Sequence, residues 1–197
     1  MLSKNANPIM TTVFIGGSRK ISRLNAEVER RIQAIVDQGF PIVIGDANGA
    51  DKAVQRYLAK KQYANVTVFC MDGAYRNNMA NWPTQAIATQ SGTRGFAYYS
   101  TKDRAMVSAS SHGLMLWDAE SKGTLNNVVQ LVREQKPTVV YIAPLNIFET
   151  IRTAADVTNL LLAKCEVSSA QRLSRELDLP YAPETPTTSN AAVQFPH

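Results

Sequence analysis

Three glycine-bearing turns, each placed where a short apolar run gives way to an amphipathic stretch, constrain this chain most. Gly16-Gly17-Ser18-Arg19 follows Val13-Phe14-Ile15, and Gly45-Asp46-Ala47-Asn48-Gly49-Ala50-Asp51-Lys52 follows Ile42-Val43-Ile44. The third, Asp118-Ala119-Glu120-Ser121-Lys122-Gly123-Thr124, follows Leu114-Met115-Leu116-Trp117. Strand-length apolar runs alternating with helical periods are the pattern of βαβ units, which require a mostly parallel sheet with helices on its faces. Turns of this kind let backbone N–H groups and helix N-termini approach an anion with no side chain in the way.

The rhythm predicts strands over 12–16, 42–45, 66–71, 113–117 and 138–143. Helices are expected over 25–38, 50–61, 100–110 and 124–135, the first closed by Gly39. The third helix is expected to begin near Lys102-Asp103, a charged pair that either is lowered onto the site or forms a surface ion pair, with Thr124 as the cap of the fourth. Residues 72–97, rich in Asn, Gly, Thr and Gln, interrupt the alternation and read as a long binding loop or lid carrying Tyr75, Arg76, Asn77, Asn78 and Trp82. Beyond Pro144 one apolar helix over 146–164 and a more polar one over 168–178 are expected. A loose leader over 1–11 and a flexible Pro/Thr/Asn-rich tail over 180–197 flank a single domain over 12–179.

Composition removes several function classes. The longest apolar stretches are strand-sized, so no membrane span is expected. Cys70 and Cys165 sit in apolar surroundings and read as buried free thiols of a cytoplasmic protein. Two histidines, one of them the terminal His197, leave neither a Ser-His-Asp triad nor a zinc site. The first turn is neither a P-loop nor a complete dinucleotide fingerprint, and no cofactor is expected. The net charge of +5 suits an anionic ligand. Its basic residues are scattered, with no basic stripe interleaved with aromatics, so nucleic acid is not expected as a partner.

The candidate binding set is Gly16, Gly17, Ser18, Arg19, Gly45, Asp46, Gly49, Ala50, Asp51, Lys52, Trp117, Asp118, Ser121, Gly123, Thr124 and Asn127. Arg19 offers a bidentate grip on a phosphate, with Ser18 beside it. Asp46 either accepts from ribose hydroxyls or closes its own turn. Asp51 suits the first turn of a helix on dipole grounds alone, whereas Lys52 there opposes the dipole, a cost that a bound anion would offset. Ser121, Gly123 and Thr124 form an N–H-rich rim, and Trp117 either stacks on a base or packs. Asp118 is the candidate catalytic carboxylate.

Together these turns resemble the SLOG superfamily, a group of Rossmann-like domains that includes Smf-type DNA-processing proteins, Lonely Guy phosphoribohydrolases and YspA-related proteins. The similarity covers about residues 12–143, and Gly49-Ala50-Asp51-Lys52 is most like the YspA-related branch. It implies a Rossmann-like three-layer sandwich, with about five strands and added C-terminal helices, and a pocket for a nucleotide-like molecule at the strand ends. Where the Lonely Guy enzymes carry a catalytic glutamate this chain has Asn127, and an amide cannot serve as general base or nucleophile.

The expected function is binding of a nucleotide or nucleotide-derived small molecule, in the manner of a sensor. An N-glycosidase or transferase using Asp118 is one alternative. The other is a self-associating scaffold or homodimer that uses the apolar positions Ile147, Ile151, Leu160 and Leu161.

Overall fold

The computed structural model describes residues 11–88 and 95–179. The expected tail, and all but the last residue of the expected leader, lie outside them. Among the described residues there are seven strands: β1 (Val13–Gly17), β2 (Ile42–Gly45), β3 (Val66–Met71), β4 (Thr84–Ile87), β5 (His112–Trp117), β6 (Thr138–Ile142) and β7 (Ile147–Ile151). The helices are α1 (Ala26–Asp37), α2 (Ala50–Lys60), α3 (Gly95–Ala109), α4 (Lys122–Arg133), α5 (Ala154–Lys164) and α6 (Val167–Leu177).

The strands form one sheet in the order β4-β3-β2-β1-β5-β6-β7. Every pairing is parallel except the antiparallel β6–β7 pair at one edge. Alternate side chains of the central strands enter different layers, which is why these strands read as continuous apolar runs. Phe14, Met115 and Trp117 pack with α3, α4, α5 and α6, whereas Val13, Ile15, Leu114 and Leu116 pack with α1 and α2. Each fully buried Ile, Leu or Val contributes about 1.5–3 kcal/mol of transfer free energy. The architecture is the expected α/β sandwich, with two more strands than the five read from sequence.

Chain direction across the sheet reverses once. From β1 the chain spreads outward through β2 and β3 to β4, then α3 carries it back so that β5 pairs on the other side of β1. The carboxyl ends of β1 and β5 thus send their following segments to opposite faces. Such a switch point leaves a crevice where ligands bind in open α/β sheets.

Several local expectations are corrected. The single helix over 146–164 is instead β7 followed by α5. Asn146 takes a left-handed conformation (φ 53°) that turns the chain back along β6, and a reciprocal cap between Thr153 and Asp156 starts α5 afresh. The stretch over 72–97 is not irregular throughout, since it contains β4 and the start of α3. Trp82 is no lid residue: it is buried, and its indole N–H donates to the Tyr63 carbonyl at 2.8 Å. Helix α3 begins at Gly95, so Lys102 and Asp103 lie two turns inside it. The cap of α4 is Ser121 rather than Thr124. The apolar positions offered for self-association, Ile151, Leu160 and Leu161, are buried within this chain's own core.

Candidate functional site

A cavity of about 580 Å³ opens at the switch point. The β1 turn (Gly16, Gly17, Arg19), the β5 turn and the N-terminus of α4 (Asp118, Ser121, Gly123, Thr124, Asn127) line it together. The first and third glycine turns therefore bring their glycines to one space, which the second reaches through Ala47 and Asp51 and not through its glycines. Gly17 has backbone on one side and void on the other: a Cβ there would collide with the Leu116 carbonyl and press on Ala50. Gly123 is open, with nothing within 4 Å of where its Cβ would stand.

Ser18 ties the two turns together rather than facing the void. It is fully buried; its hydroxyl pairs with the Thr124 hydroxyl at 3.1 Å and accepts the Asp118 N–H at 3.1 Å. The Asp118 carboxylate accepts the Glu120 and Ser121 N–H groups at 3.1 and 2.7 Å, and so shapes the turn it was expected to serve as catalyst. Trp117 is wholly buried and donates to the Ser121 carbonyl at 3.1 Å, which favours its packing role.

The second turn behaves differently. Gly49 is held at φ 86° with its Cβ position against the Arg19 backbone, and Ala50 is buried in the core. Gly45, Asp46, Gly49, Ala50 and Lys52 are not part of the cavity lining; from this turn and the helix it starts, Ala47 and Asp51 are. Asp46 is consumed by ion pairs, with Lys102 Nζ at 2.5 Å and Arg76 Nη2 at 2.9 Å, and it also accepts the Arg76 N–H at 3.0 Å. Burial alone would raise its carboxyl, but the hydrogen bonds from Arg76 and Lys102 outweigh burial and hold it well below the usual carboxylate range. Of the two roles considered for Asp46, the geometry matches neither: it anchors α3 and the loop after β3.

Lys102 and Asp103, expected from sequence either to reach the site as a charged pair or to form a surface ion pair, line the cavity, and what sequence reasoning missed is that Lys102 and Arg76 connect through Asp46. Lys102 is 3% exposed, enclosed by Asp46 and coupled to Asp51 and Asp103. Burial pushes the Asp51 carboxyl up to about 6, against the opposing pull of Lys102 and the Ala47 N–H. Burial likewise pushes Asp103 up to about 7; Lys102 and a hydrogen bond from Asn127 oppose it, and the Asp51 charge adds to it. At the mouth, the Arg19 and Arg76 guanidinium groups each lie 5.4 Å from the Tyr99 ring centroid. Arg172 from α6 and the Lys20–Glu120 pair complete the rim. The one signal in the sequence is the Lys102-Asp103 dipeptide, and its helix frame hid the direction it faces.

Among the described residues there is no cluster of three or more His, Cys, Asp or Glu suited to a metal, and no helix long and apolar enough to cross a membrane.

No protein-family model matches the sequence, and no curated protein matches it. Among solved structures the chain is similar to DNA processing protein A from Helicobacter pylori, a protein described by its single-stranded DNA binding mode. The two share 18% identity over 86% of this chain and 81% of that one, with a TM-score of 0.55. One expectation is thereby corrected, that nucleic acid is no partner class for such a chain: a neighbour in fold binds single-stranded DNA. The ground for that exclusion also fails in three dimensions, because Arg19, Lys20, Arg76 and Arg172 are scattered in sequence yet meet at one cavity. The chain has the Rossmann-like α/β fold seen in DNA processing protein A.

Proposed function

We propose that this protein binds a nucleotide or nucleotide-derived anion in the switch-point cavity, with the phosphate between the β1 turn and the N-terminus of α4. The observation that carries this reading is the convergence of Gly17 and Gly123 on one space, with Arg19 and Arg76 at its mouth. Backbone amides at a helix N-terminus and paired guanidinium groups are complementary to a phosphate in both charge and geometry. Kinship with the YspA-related branch is part of the same reading, supported by the Gly49-Ala50-Asp51-Lys52 turn.

A thermal-shift screen over nucleoside mono-, di- and triphosphates tests it. A ligand at roughly 100 times its dissociation constant stabilises the folded state by about 2.7 kcal/mol. Arg19→Ala should remove that gain. Retention of the full shift in that variant, or no shift with any nucleotide, would count against the site.

A second reading, a single-stranded nucleic acid whose phosphate enters the same cavity, is favoured by the fold likeness and the basic rim. Oligonucleotide binding that falls steeply with salt and competes with mononucleotides would select it.

A further inference from the structure

Asn127 is 7% exposed on the cavity wall, and its Oδ1 is the buried side-chain polar atom left without a hydrogen-bond partner among the described residues. Its amide also hydrogen-bonds Asp103, which lines the same cavity from α3. A primary amide and a neutral carboxyl can join through two hydrogen bonds: the amide N–H donates to one carboxyl oxygen, and the carboxyl O–H donates to the amide oxygen. An ionised carboxylate only accepts, so it leaves the amide oxygen bare, a condition that folded proteins rarely tolerate in buried groups. What this pair lacks is one proton.

We propose that Asp103 and Asn127 form a proton site coupled to the cavity, filled when an anion enters and emptied when it leaves. The inference rests on the anion reading above and adds the condition under which that site binds. Around Asp103 stand Lys102 on its own helix, Asp51 from α2, Asp46 from the turn after β2, Arg19 from the β1 turn and Arg76 from the loop after β3. The α4 residues lining the cavity are uncharged, β3 brings the Cys70 thiol, whose pKa burial raises, and β4 brings no titratable side chain. Asp118 of the β5 turn is tied to its own turn's N–H groups. Lys102 and Arg76 are both engaged with Asp46, which leaves Asp51 and Asp103 short of a cation of their own. An anion adds charge of the same sign, and on Arg19 it offsets the support that this guanidinium gives to ionised Asp103. Uptake of a proton relieves both. Asp103 is the group to take it, because Asp51 accepts the Ala47 N–H at 3.1 Å, a bond that favours its ionised form, and Asp46 is fixed by its ion pairs. Burial already brings Asp103 to about 7, so a modest push suffices near neutral pH.

Calorimetric titration of the full chain with sulfate tests the assignment, because sulfate keeps its charge across the range in which Asp103 titrates. Its affinity should fall at least about threefold between about pH 6 and about pH 9, the direction required when an anion and a proton bind together. Near pH 7.5, titrations in buffers of different ionisation heat should show uptake of about half a proton or more per sulfate. Asp103→Asn keeps a partner for the Asn127 amide and removes the charge. That variant should lose the pH dependence and, at about pH 9, bind sulfate at least about threefold more tightly than the unaltered chain. A merely structural role for Asp103 would weaken binding instead. Full pH dependence in the variant overturns the assignment to Asp103, and the proton count on the unaltered chain decides where the variant does not fold. Sulfate bound with one affinity at every pH, or with less than about a quarter of a proton, overturns the proton site and leaves the anion site standing. No sulfate bound at any pH removes both.

Discussion

The glycine turns after β1 and β2 look alike in sequence and have opposite fates in the fold. The β1 turn borders the switch point, so its backbone stays open to the cavity. The β2 turn lies one strand further out, and the chain itself fills the space a ligand would need: Arg19 covers Gly49, and Lys102 and Arg76 neutralise Asp46. A glycine turn is therefore a permission for close approach, and topology decides whether ligand or protein makes use of it.

The sharpest way to break this contrast is at Asp46. Asp46→Ala leaves Lys102 buried without its carboxylate partner and should cost about 3–5 kcal/mol, read by chemical denaturation. A loss under about 1 kcal/mol would show that the second turn is not the structural one. Gly49→Ala should come next. It combines a positive φ with a collision against the Arg19 backbone, and a loss of about 1–3 kcal/mol is expected.

The acid–base behaviour of the cavity gives a third test. Asp51 and Asp103 have folded-state pKa values of about 6 and about 7, above the unfolded value of 3.8. Over that interval the folded state binds more protons than the unfolded one, so both groups favour folding at low pH and withdraw that stability as pH rises through 4 to 7. Asp46 is shifted downward, so its contribution is complete above the unfolded pKa and is lost only in stronger acid. Melting temperature should thus fall between about pH 5, where Asp46 is already fully ionised, and about pH 7, and Asp103→Asn should flatten the slope. An unchanged slope in that variant would mean Asp103 titrates normally.

The smallest effects on folding belong to the open turns. Gly123→Ala meets nothing within 4 Å, and Arg19 is exposed, so Gly123→Ala and Arg19→Ala should each change stability by no more than about 0.5 kcal/mol. Their consequence should appear as lost nucleotide protection, measured by thermal shift. If instead they unfold the protein and Gly49→Ala does not, the comparison is reversed.

Much of this was legible in the sequence. Val13-Phe14-Ile15, Ile42-Val43-Ile44 and Leu114-Met115-Leu116-Trp117 declare central parallel strands because both their faces are covered, and the turns after them marked walls of the cavity, the second through Ala47 and Asp51 rather than its glycines. Strand β4 escaped notice because its sequence Thr84-Gln85-Ala86-Ile87 lies at an exposed edge and needs no apolar pattern. Strand β7 was hidden inside an apolar run in which Ile147 and Ile151 fit a helical spacing as well as an alternating one. The signal that separates it from α5 is the reciprocal Thr153–Asp156 cap, a helix start in the middle of that run. Lys102 and Asp103 were legible as a charged pair destined for either the site or the surface, and the choice between the two depends on β2 and α2 being brought beside α3.

Because β7 runs back against β6, α5 starts from the far rim of the sheet, and the chain returns along α5 and α6 until Arg172 reaches the cavity mouth, where it donates to the Glu120 carbonyl at 3.0 Å. The segment beyond Leu145 is consequently no detachable appendage: it seals one margin of the sheet and also supplies a guanidinium to the entrance. Cutting the chain there would loosen the scaffold and unroof the pocket in a single stroke.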